Sequence, residues 1–303
     1  MMVAFFAVPS FAHDAETVPG RAPMSELWVE PSDLSSRDLF YGPGGSALAP
    51  RSDTEFRFTG EDTRGHSKGY DVKDPQGRKW DVKIGEEAQA EVAVSRILWA
   101  IGYHQPVAYY VPRWRMNGGP TSKPDPGRFR LSSDHKTLGD WSWSKNPFVD
   151  TRPLHGLIVI NTLLNNWDLT KSNNRIYGGT KGSRQTHRRY VVQDVGGSLA
   201  KTKWPVGTRN NIEEFESQNL LKSVHDDHVE FDYRARHQML LGDISPADVA
   251  WACRLLDRLS DRQLDDAFRA GGYSKPIRER FARKIRQKIQ EGLELENPPR
   301  RSH

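Results

Sequence analysis

The chain has little cysteine and no long hydrophobic run. Its 303 residues include one cysteine, Cys253, in an apolar helix-like segment, so no disulfide can form within the chain. The apolar segment at residues 3–12 is too short to cross a bilayer as a helix, and no other segment is long enough. The sequence therefore argues against a disulfide-stapled scaffold and predicts no transmembrane segment. It also lacks internal repeats, which argues against a solenoid.

An excess of charge of one sign is also missing. The 44 Lys and Arg residues and the 39 Asp and Glu residues give a formal net charge of +5, which allows an anionic ligand without indicating one. The aromatic segment at 141–148 lacks the interleaved basic residues that hold and stack nucleic-acid bases, so we interpret it as packing. We expect no nucleic-acid partner.

The apolar content indicates a folded protein. A hydrophobic fraction of 36%, with nine Trp and twelve Phe, argues against general disorder. The length suits one large domain or one domain of two lobes, with a sizeable core.

The N-terminus resembles a secretory signal in part. Residues 3–12 are apolar and end in Ser-Phe-Ala, which suits the small-x-small cleavage rule, but the basic start is missing. We therefore interpret 1–12 as a candidate truncated signal peptide, which predicts a periplasmic or secreted protein. The alternative is a cytoplasmic protein whose N-terminus is disordered or packed on the core. Residues 13–52, rich in Pro, Gly and Ser, are predicted to be an extended leader draped over the folded part, and 297–303 a disordered tail.

Residues 53–150 are predicted to form a sheet-rich lobe. Segments 53–59, 70–73 and 79–84 alternate like strands, and the turn chemistry between the last two predicts a hairpin. Further strands are predicted at 107–112 and 129–131.

The loop between the first two strands is rich in glycine. It carries Gly60, Gly65 and Gly69 together with Lys68. The backbone N–H groups of such a loop can cover nucleotide phosphates. The loop does not match the G-x-G-x-x-G pattern, so an ordinary flexible loop is the alternative. We retain Gly65, Lys68 and Gly69 as candidate phosphate-binding residues.

A lysine and a glutamate form the second candidate group. Lys83 closes the third strand, and residues 86–101 carry apolar side chains at helical spacing. Glu91 lies at the edge of that apolar stripe, where its carboxylate can meet Lys83 and hold the ammonium group at nucleotide phosphates. Glu87 is the reserve partner. The alternative is that all three are solvated surface charges.

A buried helix leads to the stretch around which the chain is organised. Thr151 is the predicted N-cap, and residues 154–164 are apolar on nearly all sides. The polar stretch 165–174 follows, with Asp168 at its centre and Asn173 five residues later. A carboxylate in the loop after a buried helix has the rigid mount that positioning of an acceptor requires.

The next segments are predicted to form a hairpin. Residues 175–177 and 188–192 flank a Gly-rich, basic insert, and the second strand runs into Asp-Val-Gly at 194–196. Pairing of these strands brings Asn173 and Asp194 together, where one cation can bind both. An Asp with an Asn five residues later, followed by a strand that ends in Asp-x-Gly, is typical of a phosphotransfer core.

The remainder is predicted to be helical. Ser245 and Ser260 begin capping boxes, and residues 277–293 form a basic amphipathic helix whose charges we interpret as a solvated face. His225 and His228 have a spacing that metals tolerate, but without a third ligand we interpret them as surface histidines.

With Lys83, Glu91, Asp168, Asn173 and Asp194 in this order, the sequence resembles the protein-kinase-like superfamily. It looks closest to the atypical branch, which includes HipA-like toxin kinases, CotH-like spore-coat kinases, secretory-pathway casein kinases and phosphatidylinositol kinases. The motifs cover residues 56–197. The resemblance implies an α+β fold with two lobes: a small antiparallel-sheet N-lobe at 53–150 and a mainly helical catalytic C-lobe at 151–296, with ATP in the cleft.

The resemblance also implies roles for these residues. Lys83 would bind phosphate and Glu91 would hold Lys83, while Asp168 would orient the acceptor hydroxyl. Asn173 and Asp194 would bind Mg²⁺ or Mn²⁺. Lys171, three residues after Asp168 where protein kinases have a lysine two residues after, would neutralise the transferring phosphate.

Other departures concern the substrate. Val195 replaces the Phe of Asp-Phe-Gly, and no Ala-Pro-Glu occurs after Gly197, so the usual peptide platform is not expected. We predict an atypical kinase that transfers the ATP γ-phosphate to a hydroxyl of a protein, lipid or small molecule. The alternatives are a pseudokinase scaffold without catalysis and a kinase-fold nucleotidyltransferase.

Overall fold

The computed structural model describes residues 22–52, 54–62, 68–132, 134–180, 187–203, 207–225 and 227–296. The predicted signal segment, Gly65 and the predicted tail lie outside the described residues. The predicted α+β class is confirmed: an N-terminal lobe built on a sheet is followed by a mainly helical C-terminal lobe. No described helix is both long enough and apolar enough to cross a membrane.

A six-stranded sheet forms the N-terminal lobe. Its strands are β1 (Glu55–Asp62), β2 (Gly69–Lys73), β3 (Lys79–Ile84), β4 (Ala108–Val111), β5 (Arg115–Asn117) and β6 (Gly127–Leu131). The order across the sheet is β4-β6-β3-β2-β1-β5, and every pair is antiparallel except β1 with β5. The predicted strands are present, whereas β5 was missed because it is only three residues long.

The two faces of this sheet differ in chemistry. In β3, Trp80, Val82 and Ile84 lie in an apolar cluster that includes Phe56 and Phe129. Successive side chains of a strand point to opposite faces. The intervening residues of β3 therefore share the other face, which carries charge and looks towards the C-terminal lobe.

The helix α2 (Glu87–Ala100) packs on the sheet and connects it to the helical lobe. It contacts β3, β4 and β6 on one side and α6 (Asp261–Ala270) on another. The prediction of a helix at 86–101 is confirmed to within one residue at each end. Most of α2 is buried, including Glu91, so a charged side chain is carried into the interior.

The part of the predicted leader that the structure describes, residues 22–52, packs on the folded part of the protein. Residues 22–52 contain short 3-10 turns and α1 (Gly45–Leu48). Leu27, Leu34 and Leu39 are buried in the main core. Burial of a leucine side chain contributes about 1.5–3 kcal/mol, which offsets the cost of ordering the segment. These leucines therefore anchor residues 22–52 to the folded part of the protein.

The C-terminal lobe begins with α3 (Arg152–Leu163) and ends with α7 (Lys275–Leu293). Between them lie α4 (Ile212–Glu216), α5 (Pro246–Asp257), α6 and the strands β8 (Asn174–Thr180), β9 (Arg189–Val192), β10 (Leu221–His225) and β11 (His228–Phe231). Strand β7 (His135–Gly139), which precedes α3, forms a small sheet with β8 and β9, and β10 pairs with β11. The predicted N-cap at Thr151 and the capping boxes at Ser245 and Ser260 are confirmed. Trp141, in the segment interpreted as packing, is buried, and so is Cys253.

The charges of α7 are only partly the solvated face that the sequence predicted. Lys288 is completely buried, and its Nζ donates to Leu163 O at 2.9 Å and to Asn165 Oδ1 at 2.7 Å. Burial lowers the pKa of Lys288 well below its usual value. The hydrophobic stem covers the core while the amine satisfies carbonyl groups where α3 ends, so α7 supports the loop that follows α3.

Lys288→Met should change how stability depends on pH. An unfolded lysine binds a proton below a pKa of about 10.4, whereas folded Lys288 binds one only at lower pH. Between these values the folded wild type binds fewer protons, so its free energy of unfolding should rise with pH by up to about 1.4 kcal/mol per unit. We expect urea unfolding at pH 7 to 9.5 to show this slope in the wild type relative to Lys288→Met. Parallel pH profiles would contradict it.

Candidate active site

A large cleft lies between the charged face of the sheet and the loops of the C-terminal lobe. Its volume is about 1470 Å³. The polar residues and the glycine that line it include Gly69, Asp81, Lys83, Glu87, Arg128, Arg130, Asp168, Asn173, Tyr177, Gln193, Asp194, Arg209 and Arg236. The cleft therefore collects five residues that the sequence singled out, namely Gly69, Lys83, Asp168, Asn173 and Asp194, and also the reserve partner Glu87.

Lys83 is the centre of this cleft. Its Nζ lies 2.6 Å from Asp194 Oδ2, 2.9 Å from Glu87 Oε2 and 3.2 Å from Glu91 Oε2. The predicted ion pair with Glu91 is present, and the reserve partner Glu87 is in contact as well. Burial by itself would lower the pKa of Lys83, but the charges of Glu91, Asp194 and Glu87 raise it above its usual value. Lys83 is therefore a fixed cation.

Two arginines of β6 extend this network, and the sequence reasoning missed them. In the antiparallel register, Arg128 is directly opposite Lys83 and Arg130 is directly opposite Asp81. Arg128 Nε lies 2.8 Å from Glu91 Oε1, and Arg128 Nη1 lies 2.5 Å from Asp81 Oδ1. The alternation of Arg128, Phe129 and Arg130 was the available signal, because it puts both arginines on one face of a strand.

Asp81 is held ionised by these arginines. Burial would raise the pKa of Asp81, but the charges of Arg130 and Arg128 lower it below its usual range. The same arrangement leaves Glu91 between Lys83 and Arg128, one on each carboxylate oxygen. The cleft face of the sheet is thus a row of alternating charges.

Asp168 is fixed by the loop that follows α3. Asn166 is buried, its Oδ1 accepts a hydrogen bond from Asp168 N at 3.2 Å, and its carbonyl accepts one from Tyr233 Oη at 2.6 Å. Asn173 Nδ2 donates to Asp168 Oδ2 at 3.0 Å and to Asp168 O at 2.8 Å. Asn165 makes the turn possible with a φ of 55°. The asparagines of this stretch therefore serve to hold Asp168.

Asp194 reaches the cleft at the end of β9. Gln193 N and Asp194 N both donate to Asn173 O, at 2.8 and 3.1 Å, so the hairpin brings Asn173 and Asp194 together as predicted. Burial would raise the pKa of Asp194, but Lys83 and the N–H of Gly196 lower it. A Cβ at Gly196 would lie 2.7 Å from Glu87 Cβ, so glycine is required where this segment passes α2.

The other predicted residues lie less centrally. Lys171 is exposed on a 3-10 turn (Lys171–Asn173), and among the described residues that line the cleft its neighbours Thr170 and Ser172 occur but Lys171 does not. Lys68 is exposed, with its Nζ 5.5 Å from the ring centroid of Tyr70. Gly69 pairs with Lys83 across β2 and β3 and lines the cleft. The roles of all three residues stay predictions.

Arg209 connects the two sides of the cleft, and the sequence gave no signal for it. Its guanidinium pairs with the second carboxylate oxygen of Glu87 and lies 5.4 Å from the ring centroid of Trp167. Glu87 therefore contacts Lys83 from the sheet and Arg209 from the C-terminal lobe. Trp167, which directly precedes Asp168, supports this contact through its ring.

The oxygen atoms that this site offers suit Mg²⁺ only together with substrate phosphates and water. Asp194 and Asn173 offer a carboxylate and an amide oxygen, which are the atoms that Mg²⁺ prefers. Among the described residues, no group of three or more His, Cys, Asp or Glu could hold a metal ion, and this includes His225 and His228. Mg²⁺ usually binds through one or two carboxylates and completes its shell with substrate phosphates and water, and this site fits that mode.

Comparison with known proteins adds little. No family model and no curated protein matches the chain. One solved structure that is similar is that of a proinflammatory kinase, CtkA, from Helicobacter pylori. The two chains share 10% sequence identity with a TM-score of 0.47, over 78% of this chain and 93% of the other. At these values the similarity carries no conclusion about activity.

Glu91→Gln should destabilise the protein, because it leaves two buried cations short of a partner. Removing one member of a buried ion pair costs about 3–5 kcal/mol, and the Glu91 side chain is only 3% exposed. We expect the free energy of unfolding, measured with urea, to fall by about 3 kcal/mol. Glu86→Gln, at the exposed N-cap position five residues earlier, is the matched control and should change it by less than about 0.5 kcal/mol. Equal effects would contradict the network.

Proposed function

We propose that the protein is an ATP-dependent phosphotransferase of the protein-kinase-like superfamily that acts on a hydroxyl acceptor with Mg²⁺ or Mn²⁺. The observation that supports this proposal best is that Lys83 Nζ lies 2.6 Å from Asp194, across the cleft, and 3.2 Å from Glu91 of α2. Asp168 and Asn173, joined by a hydrogen bond, line the same cleft. Protein kinases use a strand lysine, a helix glutamate and these loop residues in the same combination.

The assignment of Lys83 to the nucleotide rests on charge and rigidity. Glu91 and Glu87 keep Lys83 ionised and fix its direction, so its ammonium group can meet phosphate oxygens without reorganising. Lys83 also contacts Asp194, so a phosphate that takes Lys83 frees a carboxylate oxygen of Asp194 for a cation. Gly69, opposite Lys83, keeps a side chain out of the space beside it.

Asp194 and Asn173 are the proposed holders of the metal. When bound, Mg²⁺ or Mn²⁺ neutralises charge on the phosphates during transfer. Asn173 donates its amide N–H to Asp168, so its amide oxygen is the atom that remains for a cation. The same side chain thereby sets the distance between the metal side and the acceptor side of the cleft.

Asp168 is the proposed base for the acceptor. Its carboxylate would accept the proton of the hydroxyl group as the hydroxyl oxygen attacks phosphorus, and the hydrogen bond from Asn173 orients it for that contact. The acceptor, which is a protein, lipid or small molecule, would approach from the side of Trp167 and Arg236. An exported location, periplasmic or secreted, stays a proposal that rests on residues 3–12 alone, and a cytoplasmic location is its alternative.

Two other functions fit the same cleft. In a pseudokinase scaffold the contact between Lys83 and Asp194 would persist, so no metal would bind between them. A kinase-fold nucleotidyltransferase would use the same residues and transfer AMP. Purified protein incubated with Mg²⁺ or Mn²⁺ and either γ- or α-labelled ATP separates the three functions. Transfer of the γ label alone supports the kinase, transfer of the α label supports nucleotidyl transfer, and transfer of neither favours the scaffold.

Asp168→Asn should slow turnover and leave ATP affinity nearly unchanged. The change keeps the shape but removes the group that accepts the proton, and general-base assistance contributes about 10²–10⁴ in rate. We expect a loss of that size in the labelling assay, with the dissociation constant of ATP within about twofold. If Asp168 only shapes its turn, Asn would replace it with little loss, so activity within a few-fold of wild type would refute the catalytic role.

Asp194→Ala should abolish nucleotide binding that depends on Mg²⁺. The variant loses the carboxylate that would bind the cation, so the triphosphate charge stays uncompensated. Asn173→Ala should weaken binding less, because an amide oxygen carries no net charge. Titration calorimetry with ATP, with and without Mg²⁺, measures both. The control is Asp227→Ala, an exposed carboxylate outside the cleft, which should bind like the wild type. Unchanged affinity in Asp194→Ala would place the site elsewhere.

A further inference from the structure

The wall of the cleft beside Lys83 is charged where a base would have to bind. Along β3, Asp81 precedes Lys83 on the same face, two residues or about 7 Å away. The large apolar side chains of β3 and β6, Trp80, Val82 and Phe129, belong to the cluster on the opposite face. The side chains that share the face of Lys83 on β3 and β6 are therefore charged, and the pair of Asp81 with Arg130 lies next to Lys83 along that face.

Arg130 is held much less firmly than Arg128. The Arg128 side chain is 1% exposed, and its polar contacts to Asp81 and Glu91 are 2.5 to 3.0 Å long. The Arg130 side chain is 15% exposed, and it lies 3.3 Å from Asp81 Oδ2, 3.7 Å from Glu91 Oε1 and 3.5 Å from Gln193 O. Since Arg128 alone pairs closely with Asp81, Arg130 can turn towards a ligand without leaving Asp81 unpaired.

The facing wall is formed by β8 and β9. Tyr177 donates its hydroxyl hydrogen to Gln193 Oε1, and Val191 lines the cleft beside them. Tyr177 is close enough to Arg130 that the arginine charge opposes the rise that burial causes in the pKa of Tyr177. Arg130 Nη1 lies 3.5 Å from Gln193 O, so the arginine of one wall reaches the residue that holds Tyr177 on the other.

We propose that the part of the cleft lined by Asp81, Arg130, Tyr177 and Gln193, here called the base slot, binds the purine base of a nucleoside triphosphate. The base slot accepts adenine and guanine alike, and the inference rests on the proposed function. The planar guanidinium group of an arginine and the phenol ring of a tyrosine can both stack on any base, because every base has a π-face. The edge groups do not impose one pattern either: Asp81 accepts hydrogen bonds, and the side-chain amide of Gln193 both donates and accepts. Adenine and guanine, whose edges differ in donors and acceptors, can both be satisfied.

The test uses calorimetry with Mg²⁺ and three ligands: ATP, GTP and inorganic tripolyphosphate. In the wild type we expect the dissociation constants of ATP and GTP to agree within about threefold. Arg130→Lys keeps the positive charge but removes the planar guanidinium, so it should weaken ATP and GTP about tenfold each and leave tripolyphosphate within twofold. Arg115→Lys, an exposed arginine of the same sheet outside the cleft, is the matched control and should change none of the three.

Each result decides between distinct conclusions. A wild-type preference for ATP over GTP above about thirtyfold overturns the proposal and needs no variant to fold. An equal loss of tripolyphosphate binding in Arg130→Lys overturns it too, because Arg130 would then contact phosphate. If ATP and GTP bind no more tightly than tripolyphosphate, the base slot is refuted but the proposed function stands. Absence of binding by all three ligands removes the proposed function itself.

Discussion

The site depends on the fact that charges buried in a protein must be paired. Lys83, Arg128 and Glu91 are all withdrawn from solvent, and each would be costly alone. Positive and negative side chains alternate from Arg128 on β6 through Glu91 on α2 and Lys83 on β3 to Asp194. Because Glu91 joins Arg128 to Lys83 and Lys83 contacts Asp194, the positions of the sheet, the helix and the Asp-Val-Gly segment are fixed together.

That constraint explains which parts of the site the sequence could predict. Lys83, Glu91 and Asp194 were found because each follows a recognisable element: the end of a strand, the edge of an apolar helical stripe, and the end of a hairpin. Arg128 and Arg130 were missed because their importance lies in register with β3, and register is decided by pairing between distant segments. Arg209 was missed for the same reason, since Glu87 is distant from it in the sequence.

The fold was predictable to a similar depth. Strands β1 to β3, α2 and the capped helices of the C-terminal lobe follow from local patterns and caps. The burial of individual leucines in residues 22–52 was not predictable, because a segment rich in Pro and Gly has no regular apolar pattern. Only the structure shows which of its leucines lie in the core. Lys288 was misread because a lysine in a basic helix normally faces water. Here a lysine is buried because the carbonyls at the end of α3 would otherwise lack a donor.

Glu87 also affects how easily the two walls of the cleft can separate. The cleft cannot widen by rotation of the lobes without separating Arg209 from Glu87 and Lys83 from Asp194, since each pair joins opposite walls. Both contacts are ionic and partly open to solvent, so dissolved salt weakens them more than it weakens the apolar cores on either side. Raising the ionic strength should therefore weaken the contacts that hold the two walls of the cleft together, while the architecture stays the same.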